Sequence, residues 1–242
     1  MIKIRALLLA GGYATRLYPL TEKLAKPLVS VAGEKIIDRL VKQINEICDE
    51  IIVITNDKFY EQFVKWKGDK ENIKIINDGA LSNDDRLGAI GDIQFVLEKE
   101  KINEDMLVIA GDNIFDFNLK DSYGYFKEKE KSVILLKKVD LEQAKKGGVV
   151  ELDEDSKVVF LEEKSENPKS LLYSIPIYFY KKEDLEKVKK YLKEGNNPDA
   201  PGFYLEWLHK NSEVYGYKTE GEWFDIGDFK NLERAEKVFM GK

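Results

Sequence analysis

Through the first half of the chain, short runs rich in Val, Ile and Leu alternate with stretches in which apolar residues recur every three or four positions. The runs Ile4–Ala10, Ile51–Thr55, Ile73–Ile76 and Met106–Ala110 predict strands, and Lys35–Ile47, Phe59–Lys67 and Ala89–Glu98 predict the helices between them. This βαβαβαβ order is the pattern of a doubly wound parallel sheet covered on both faces. In such sheets ligands bind outside the carboxyl ends of the strands, which directs attention to the loops after Ala10 and Ala110. From Ser132 the strands come closer together: Val133–Lys137, Gly148–Leu152, Val158–Glu162 and Tyr173–Tyr180, then a helix near Lys182–Leu192. A Gly/Asn/Pro/Asp loop from Gly195 to Gly202 leads into a short helix, a strand near Val214–Lys218 and a last helix from Phe229 to Phe239. This half reads as mixed or antiparallel. No repeat or flexible polar connector separates the halves, so one domain, 1–242, with lobes 1–130 and 131–242 is expected.

The chain's 242 residues can bury a sizeable core, and its net charge of −6 comes from interspersed signs. That argues against a nucleic-acid or anionic-membrane binder working through bulk charge, so phosphate recognition must be local. No apolar run approaches the roughly 20 residues of a membrane span. Lys3 and Arg5 precede the run Ala6–Ala10 in a way that could imitate a secretion signal. The run is shorter than the roughly 7–15 residues such a signal needs, and Gly-Gly follows it, so it reads as a first strand. A single cysteine, Cys48, excludes an internal disulfide and, with the lone His209, leaves too few soft ligands for a structural zinc. Both residues read as core or surface, and a reducing, cytoplasmic location is expected.

After the first strand the chain reads Gly11-Gly12-Tyr13-Ala14-Thr15-Arg16-Leu17-Tyr18-Pro19-Leu20-Thr21, with Lys26-Pro27 in the next turn. Two glycines there let backbone N–H groups approach a phosphate, and Thr15, Arg16 and Lys26 add a hydroxyl and two fixed positive charges, which suits a triphosphate. Glycine spacing excludes both a Walker A loop and a dinucleotide fingerprint. Asp112, at the carboxyl end of the fourth strand, is costly to bury unless it meets a cation; Mg²⁺ is the natural reading, with a helix cap or a salt bridge to Arg16 the alternative. Asp228 precedes a helical pattern that begins at Phe229 and reads as its cap, an extra carboxylate near the metal being the alternative. Asp84 and Asp85 read as favourable to the dipole of the helix that follows them.

The segment Leu9-Ala10-Gly11-Gly12 through Thr15-Arg16-Leu17 and Pro19-Leu20-Thr21, with Lys26-Pro27 downstream, resembles the signature of the sugar-1-phosphate nucleotidyltransferases. The resemblance extends over most of the chain: Gly111-Asp112-Asn113-Ile114-Phe115, Gly148-Val149-Val150-Glu151, Glu162-Glu163-Lys164, Tyr178-Phe179-Tyr180 and Trp223-Phe224-Asp225-Ile226-Gly227. The first and third of these look most like the glucose-1-phosphate thymidylyltransferase branch. Four positions depart from the family pattern, one of them Asp228, where Thr is common. Ala14 replaces a usual Gly and would be strained at positive φ. An Arg common before a Gly-Glu pair is missing from Ala200-Pro201-Gly202-Phe203. Gly91 stands where thymidylyltransferases carry a base-reading Gln, and Leu87-Gly88-Ala89-Ile90-Gly91 is as close to the mannose-1-phosphate guanylyltransferase loop.

The resemblance implies a Rossmann-like three-layer α/β fold with a mixed, mostly parallel central sheet, and an Mg²⁺-dependent enzyme joining a nucleoside triphosphate to a sugar 1-phosphate. It favours dTTP or UTP with glucose 1-phosphate; a guanylyl, cytidylyl or uridylyltransferase and a non-catalytic sugar-nucleotide-binding homologue are the alternatives. It implies Arg16, Lys26 and Asp112 as catalytic, and Ala10, Gly11, Gly12, Thr15, Arg16, Lys26 and Gly88 as nucleotide-binding. Gly148, Glu163 and Lys164 bind the acceptor in this reading, and Asp112 and Asp225 hold the metal. A metal-dependent glycosyltransferase would normally carry Asp-x-Asp at the fourth strand, where residue 114 is Ile. The length leaves no room for the β-helix of bifunctional members, so a second activity is not expected. A homo-oligomer through the second lobe is compatible with the pattern, though no exposed heptad specifies one.

Overall fold

The computed structural model describes residues 4–241, so Lys3 lies outside the described residues. In chain order the elements are β1 (Ile4–Leu9), β2 (Ser30–Val31), β3 (Glu34–Lys35), α1 (Ile36–Ile44), β4 (Cys48–Thr55), α2 (Tyr60–Lys67), β5 (Ile73–Asn77), α3 (Gly88–Lys99), β6 (Met106–Ala110) and β7 (Asn113–Phe115). There follow α4 (Leu119–Lys129), β8 (Ser132–Lys138), α5 (Leu141–Ala144), β9 (Gly148–Leu152), β10 (Val158–Glu163), β11 (Leu172–Tyr180), α6 (Lys182–Glu186), α7 (Val188–Lys193), α8 (Pro201–Leu208), β12 (Val214–Lys218), β13 (Trp223–Asp225) and α9 (Phe229–Phe239). The expected α/β class is what forms. The chain divides into two interleaved units: residues 1–86, 109–119 and 221–242 make the first, and 87–108 with 120–220 the second. Residues 130 and 131, the expected lobe boundary, both lie inside the second unit.

In the first unit β1, β4 and β5 run parallel, with Leu8 beside Val53 and Val53 beside Ile75. Ile51–Ile54 are fully buried, which is why the run is continuously apolar rather than alternating. Helix α1 buries Ile36, Ile37, Leu40, Val41 and Ile44, an i, i+4, i+8 stripe with its near neighbours. Each such side chain contributes about 1.5–3 kcal/mol when fully buried. The two-residue hairpin between β2 and β3 turns through Ala32 and Gly33 at φ 50° and 80°. Strands β7 and β13 pair antiparallel, Asp225 opposite Asn113 and Trp223 opposite Phe115, and the Trp223 indole N–H donates to Asn113 Oδ1 at 2.6 Å. Helix α9 starts where expected: Asp228 Oδ1 accepts the Asn231 N–H at 2.8 Å.

In the second unit β10, β9 and β11 are neighbours in antiparallel order, and β8 pairs antiparallel with β11 and parallel with β12. Pro176 lies inside β11, and the β11–β8 register shifts between Ser174 and Tyr178, as expected where a residue cannot donate to the ladder. Helix α8 packs against β9, β10 and β11. The helix expected over Lys182–Leu192 is two, α6 and α7, meeting at Lys187, whose Nζ reaches Asp184 Oδ1 at 2.9 Å and Ser212 Oγ at 2.9 Å. Asp84 and Asp85 lie outside the first turn of α3, which holds no acidic residue. Asp85 instead accepts the N–H groups of Leu81 and Ser82, which orders its own loop.

Candidate active site

At the carboxyl end of β1 the backbone carbonyls are tied back into the sheet. Thr55 Oγ1 donates to the Ala10 carbonyl at 3.2 Å and Asn56 Nδ2 to that of Gly11 at 2.9 Å. The N–H groups of Gly11, Gly12 and Tyr13 hold no hydrogen-bond partner among the described residues. Successive uncommitted amides of this kind form an anion-binding concavity. Ala14 follows at φ 49°, ψ 42°, the left-handed conformation that suits Gly better than Ala. It is held there by Thr21 Oγ1, which donates to its carbonyl at 2.7 Å, and by the Leu17 N–H at 3.0 Å. The turn Thr15–Leu17 then buries Leu17 and leaves Thr15 and Arg16 exposed.

Three further charged groups of the first unit converge beside this loop. Lys26 Nζ contacts Asp112 Oδ2 at 2.5 Å, with 11% and 29% of the two side chains exposed. Asn113 Nδ2 donates to Asp112 Oδ1 at 2.8 Å, and the Asp112 carbonyl accepts the Ile226 N–H at 3.0 Å, which ties the loop after β6 to the residue following Asp225. Burial pushes the Asp112 carboxyl up, and the Lys26 ammonium more than reverses this, leaving it below the usual carboxylate range. Asp225 is pushed up to about 6 by burial and by Asp112, against the pull of Lys26 and Arg16. A Cβ at Gly227 would lie 3.2 Å from Arg16 Nη2 and 3.4 Å from Asp225 Oδ2, so guanidinium and carboxylate flank the same glycine. Two carboxylates that repel one another, both hard oxygen donors, fit a divalent cation of the Mg²⁺ type, which takes one or two carboxylates and fills its remaining positions with water and phosphate oxygens. No group of three or more His, Cys, Asp or Glu side chains arranged for a metal occurs among the described residues, so only a two-carboxylate site is on offer.

The other expected residues lie in the second unit. Glu163 ends β10 opposite Gly148 on β9. Lys164 leaves the strand at φ 55°, donates its N–H to the Gly147 carbonyl at 3.0 Å, and sets its Nζ 5.3 Å from the Phe203 ring centroid. A lysine in the left-handed region is a local strain that the surrounding structure must hold. Burial, with help from Glu206 and against the pull of Lys164, pushes the Glu163 carboxyl up to about 7. Gly88 has a packing role that its sequence context does not reveal: a Cβ there would lie 2.5 Å from the Pro198 carbonyl oxygen, which accepts the Ile90 N–H at 2.9 Å. At Gly91 a Cβ would come within 2.9 Å of Leu87 Cβ, so the position is tight as well as short of a base-reading side chain.

Sequence reading assigned no role to Asn56, Asn113, Gly202 or Glu206. Asn56 and Asn113 stand just beyond carboxyl-end strand positions, where the rule that pointed to the loops after Ala10 and Ala110 also applies. Glu206 sits in a helical run and carries no signal distinguishing it from a solvated surface glutamate.

Parallel strands ending in a loop of uncommitted amides, with two cations and two carboxylates beside it, place the chain among the α/β proteins whose candidate site lies at strand carboxyl ends. The chain belongs to the nucleotidyl transferase family, whose model matches residues 5–240. Its relatives include a bifunctional protein GlmU of Methanocaldococcus jannaschii, 30% identical over 238 residues, covering 98% of this chain and 54% of that protein. A glucose-1-phosphate adenylyltransferase of Lachnospira eligens is 30% identical over 249 residues, covering 95% and 58%. The chain thus spans about half the length of the curated relatives it matches. Among solved structures, one from Bacillus anthracis described as a glucose-1-phosphate thymidylyltransferase superposes with a TM-score of 0.85 at 24% identity, covering 99% of this chain and 96% of that one. A UDP-glucose pyrophosphorylase complexed with UDP-glucose gives 0.83 at 21%, covering 100% and 99%. These likenesses establish the Rossmann-like fold with its mixed, mostly parallel central sheet.

Proposed function

We propose that the chain transfers a nucleotidyl group from a nucleoside triphosphate, dTTP or UTP, to a sugar 1-phosphate, glucose 1-phosphate for preference, releasing pyrophosphate. The observation that carries this reading is the meeting of Arg16, Lys26, Asp112 and Asp225, from four separate segments, beside the uncommitted amides of Gly11 to Tyr13. In the reaction an oxygen of the sugar phosphate forms a bond to the α-phosphorus while the bond from that phosphorus to the β-phosphate oxygen breaks. The attacking phosphate monoester is already largely dianionic at neutral pH, its second pKa being near ~6, so no general base is required. Catalysis is then positioning and charge neutralisation. Thr15 and the loop amides bind the phosphate chain, and Arg16 and Lys26 neutralise the charge gathering on pyrophosphate. Lys164 binds the acceptor phosphate, Glu163 accepts hydrogen bonds from sugar hydroxyls, and the bare backbone at Gly148 lets the sugar approach. A Mg²⁺ ion held by Asp112 and Asp225 would supply charge stabilisation at the α-phosphate. Cys48, buried and in no disulfide, is in keeping with a reducing, cytoplasmic setting.

Pyrophosphate release with Mg²⁺ across dTTP, UTP, CTP, GTP and ATP against glucose-, mannose-, galactose- and N-acetylglucosamine-1-phosphate tests the reading. Turnover selective for dTTP or UTP with glucose 1-phosphate is the expected result. Silence in every pair, with tight binding of a sugar nucleotide, would replace it with a binding protein that carries out no transfer.

A further inference from the structure

We propose that Gly202 is a positioning residue for the acceptor site: by contributing no side chain to the first turn of α8, it makes room for the Glu163 carboxyl and fixes where that group accepts hydrogen bonds. The inference rests on the reading of Glu163 as a binder of acceptor hydroxyls.

The Glu163 carboxyl has no hydrogen-bond or ion-pair partner among the described residues, yet it is largely buried. Such a group needs something other than bonds to hold it. Packing supplies that from two sides. Across the ladder, a Cβ on Gly148 would lie 3.1 Å from Oε2. On α8, a Cβ on Gly202 would overlap Oε2 and Cδ outright and stand 3.1 Å from Oε1. Gly202 and Glu206 are four residues apart and therefore share a helix face. Glu206 Oε2 accepts the Glu163 backbone N–H at 3.2 Å, so that face holds the backbone of residue 163 with one position and accommodates its side chain with the other.

The backbone does not require glycine at 202: no left-handed φ occurs there, and Pro201 at the first helical position favours the helix start. Glycine is the poorest helix former after proline, so its presence is explained by the space it leaves rather than by conformation. The groups that sense the carboxyl's charge are Lys164 on its own segment, Glu206 on α8, Tyr178 on β11 and Tyr191 on α7.

The test is Gly202→Ala, assayed with glucose 1-phosphate and whichever triphosphate the unaltered protein uses. The methyl group evicts the carboxyl, a flexible side-chain end, while α8 gains a better helix former. The expected result is an unchanged or raised Tm, a triphosphate KM within about twofold, and an acceptor KM raised at least about tenfold, the scale of one lost charge-assisted hydrogen bond. In a Glu163→Ala background the same change adds nothing to the acceptor KM. An unchanged acceptor KM in the single variant, or effects that multiply in the double variant, overturns the proposal. A readout without substrate separates this outcome from failure of the proposed function. The part of the pH dependence of Tm between pH 5 and 8.5 that the confined Glu163 carboxyl imposes is lost in Gly202→Ala, while the part from Asp225 stays. If the unaltered protein transfers nothing, that loss still supports the positioning role, and an unchanged pH dependence overturns it. Should Gly202→Ala alone lose stability, recovery of Tm on adding Glu163→Ala supports the shared space, and no recovery overturns it.

Discussion

Replacing Lys26 by Met removes the ammonium that sits 2.5 Å from Asp112 Oδ2 and keeps nearly the same side-chain length and volume. What is left is Asp112 facing Asp225, with Arg16 the remaining cation acting on Asp225. Removing one partner of a fully buried ion pair costs about 3–5 kcal/mol, most of it the stranded charge. Asp112 keeps 29% of its side chain in solvent, so about 2–3 kcal/mol is expected here. At about 2–4 °C per kcal/mol for a chain of this size, the Tm falls by about 4–12 °C. The sign with pH follows from the raised carboxyl of Asp225. A group whose pKa is higher folded than unfolded stabilises at low pH and loses that contribution as pH rises through its folded value, here about 6. Losing Lys26 raises the Asp225 carboxyl further and removes what holds Asp112 low, so the deficit is larger at pH 8 than at pH 5. Adding Asp112→Asn to Lys26→Met neutralises the stranded charge and restores most of the Tm. Thermal melts of the four proteins of this cycle, without divalent ion and at both pH values, measure the coupling directly. A double variant no more stable than Lys26→Met would refute the reasoning, because the cost would then lie in packing around the lysine stem.

Asp112→Asn and Arg16→Ala should each lower kcat in pyrophosphate release by at least about a hundredfold, the scale of losing a preorganised charge-stabilising group, and near-normal turnover in both would remove them from the site. Glu163, raised from 4.5 to about 7, should contribute stability below pH 4.5 that is lost as pH rises through 7, about 3 kcal/mol in all. Glu163→Gln cannot ionise, so melts should show its Tm pulling above that of the unaltered protein between pH 5 and 8.5; a pH-independent difference would count against a confined carboxyl. Asp228→Ala should cost about 1 kcal/mol, read by denaturant melts, with kcat unchanged, since its oxygen serves the Asn231 N–H as a helix cap; a hundredfold fall in kcat would instead make it part of the metal's surroundings.

Met106–Ala110 was legible because a strand buried on both faces is written as an unbroken apolar run, and Gly148–Leu152 and Val214–Lys218, short β-rich segments bounded by polar turns, also form with the expected ends. Helix α4 was not, since Gly124, Ser122 and Asp121 dilute its periodicity and the helix is held by its packing rather than by propensity. The hairpin at Ala32-Gly33 was hidden by an alanine at a positive-φ position where Asn or Asp would have signalled the turn. Conversely, the positive φ expected at Ala14 is present, held by the hydrogen bonds that Thr21 Oγ1 and the Leu17 N–H donate to its carbonyl. The charged residues of the site could be named from the sequence, but not what holds them. Glu206 and Gly202 meet Glu163 across about 40 residues of chain, and nothing local records that meeting.

The candidate residues of the two units also differ in how they carry charge, and that difference bears on pH behaviour. Beside the loop after β1 the positive charge comes from Arg16 and Lys26, and the proposed transfer needs no proton removed from its nucleophile. The lone histidine cannot act as a switch there. His209 closes α8, and burial together with Lys210 lowers its pKa, which leaves it neutral at pH 7. The group in the second unit poised to change charge near pH 7 is Glu163, whose ionised form is the better acceptor of hydroxyl hydrogen bonds. Acidification below 7 should therefore weaken acceptor binding before it touches the triphosphate, raising the acceptor KM progressively while the triphosphate KM holds. A general-base mechanism would instead put the titration on kcat.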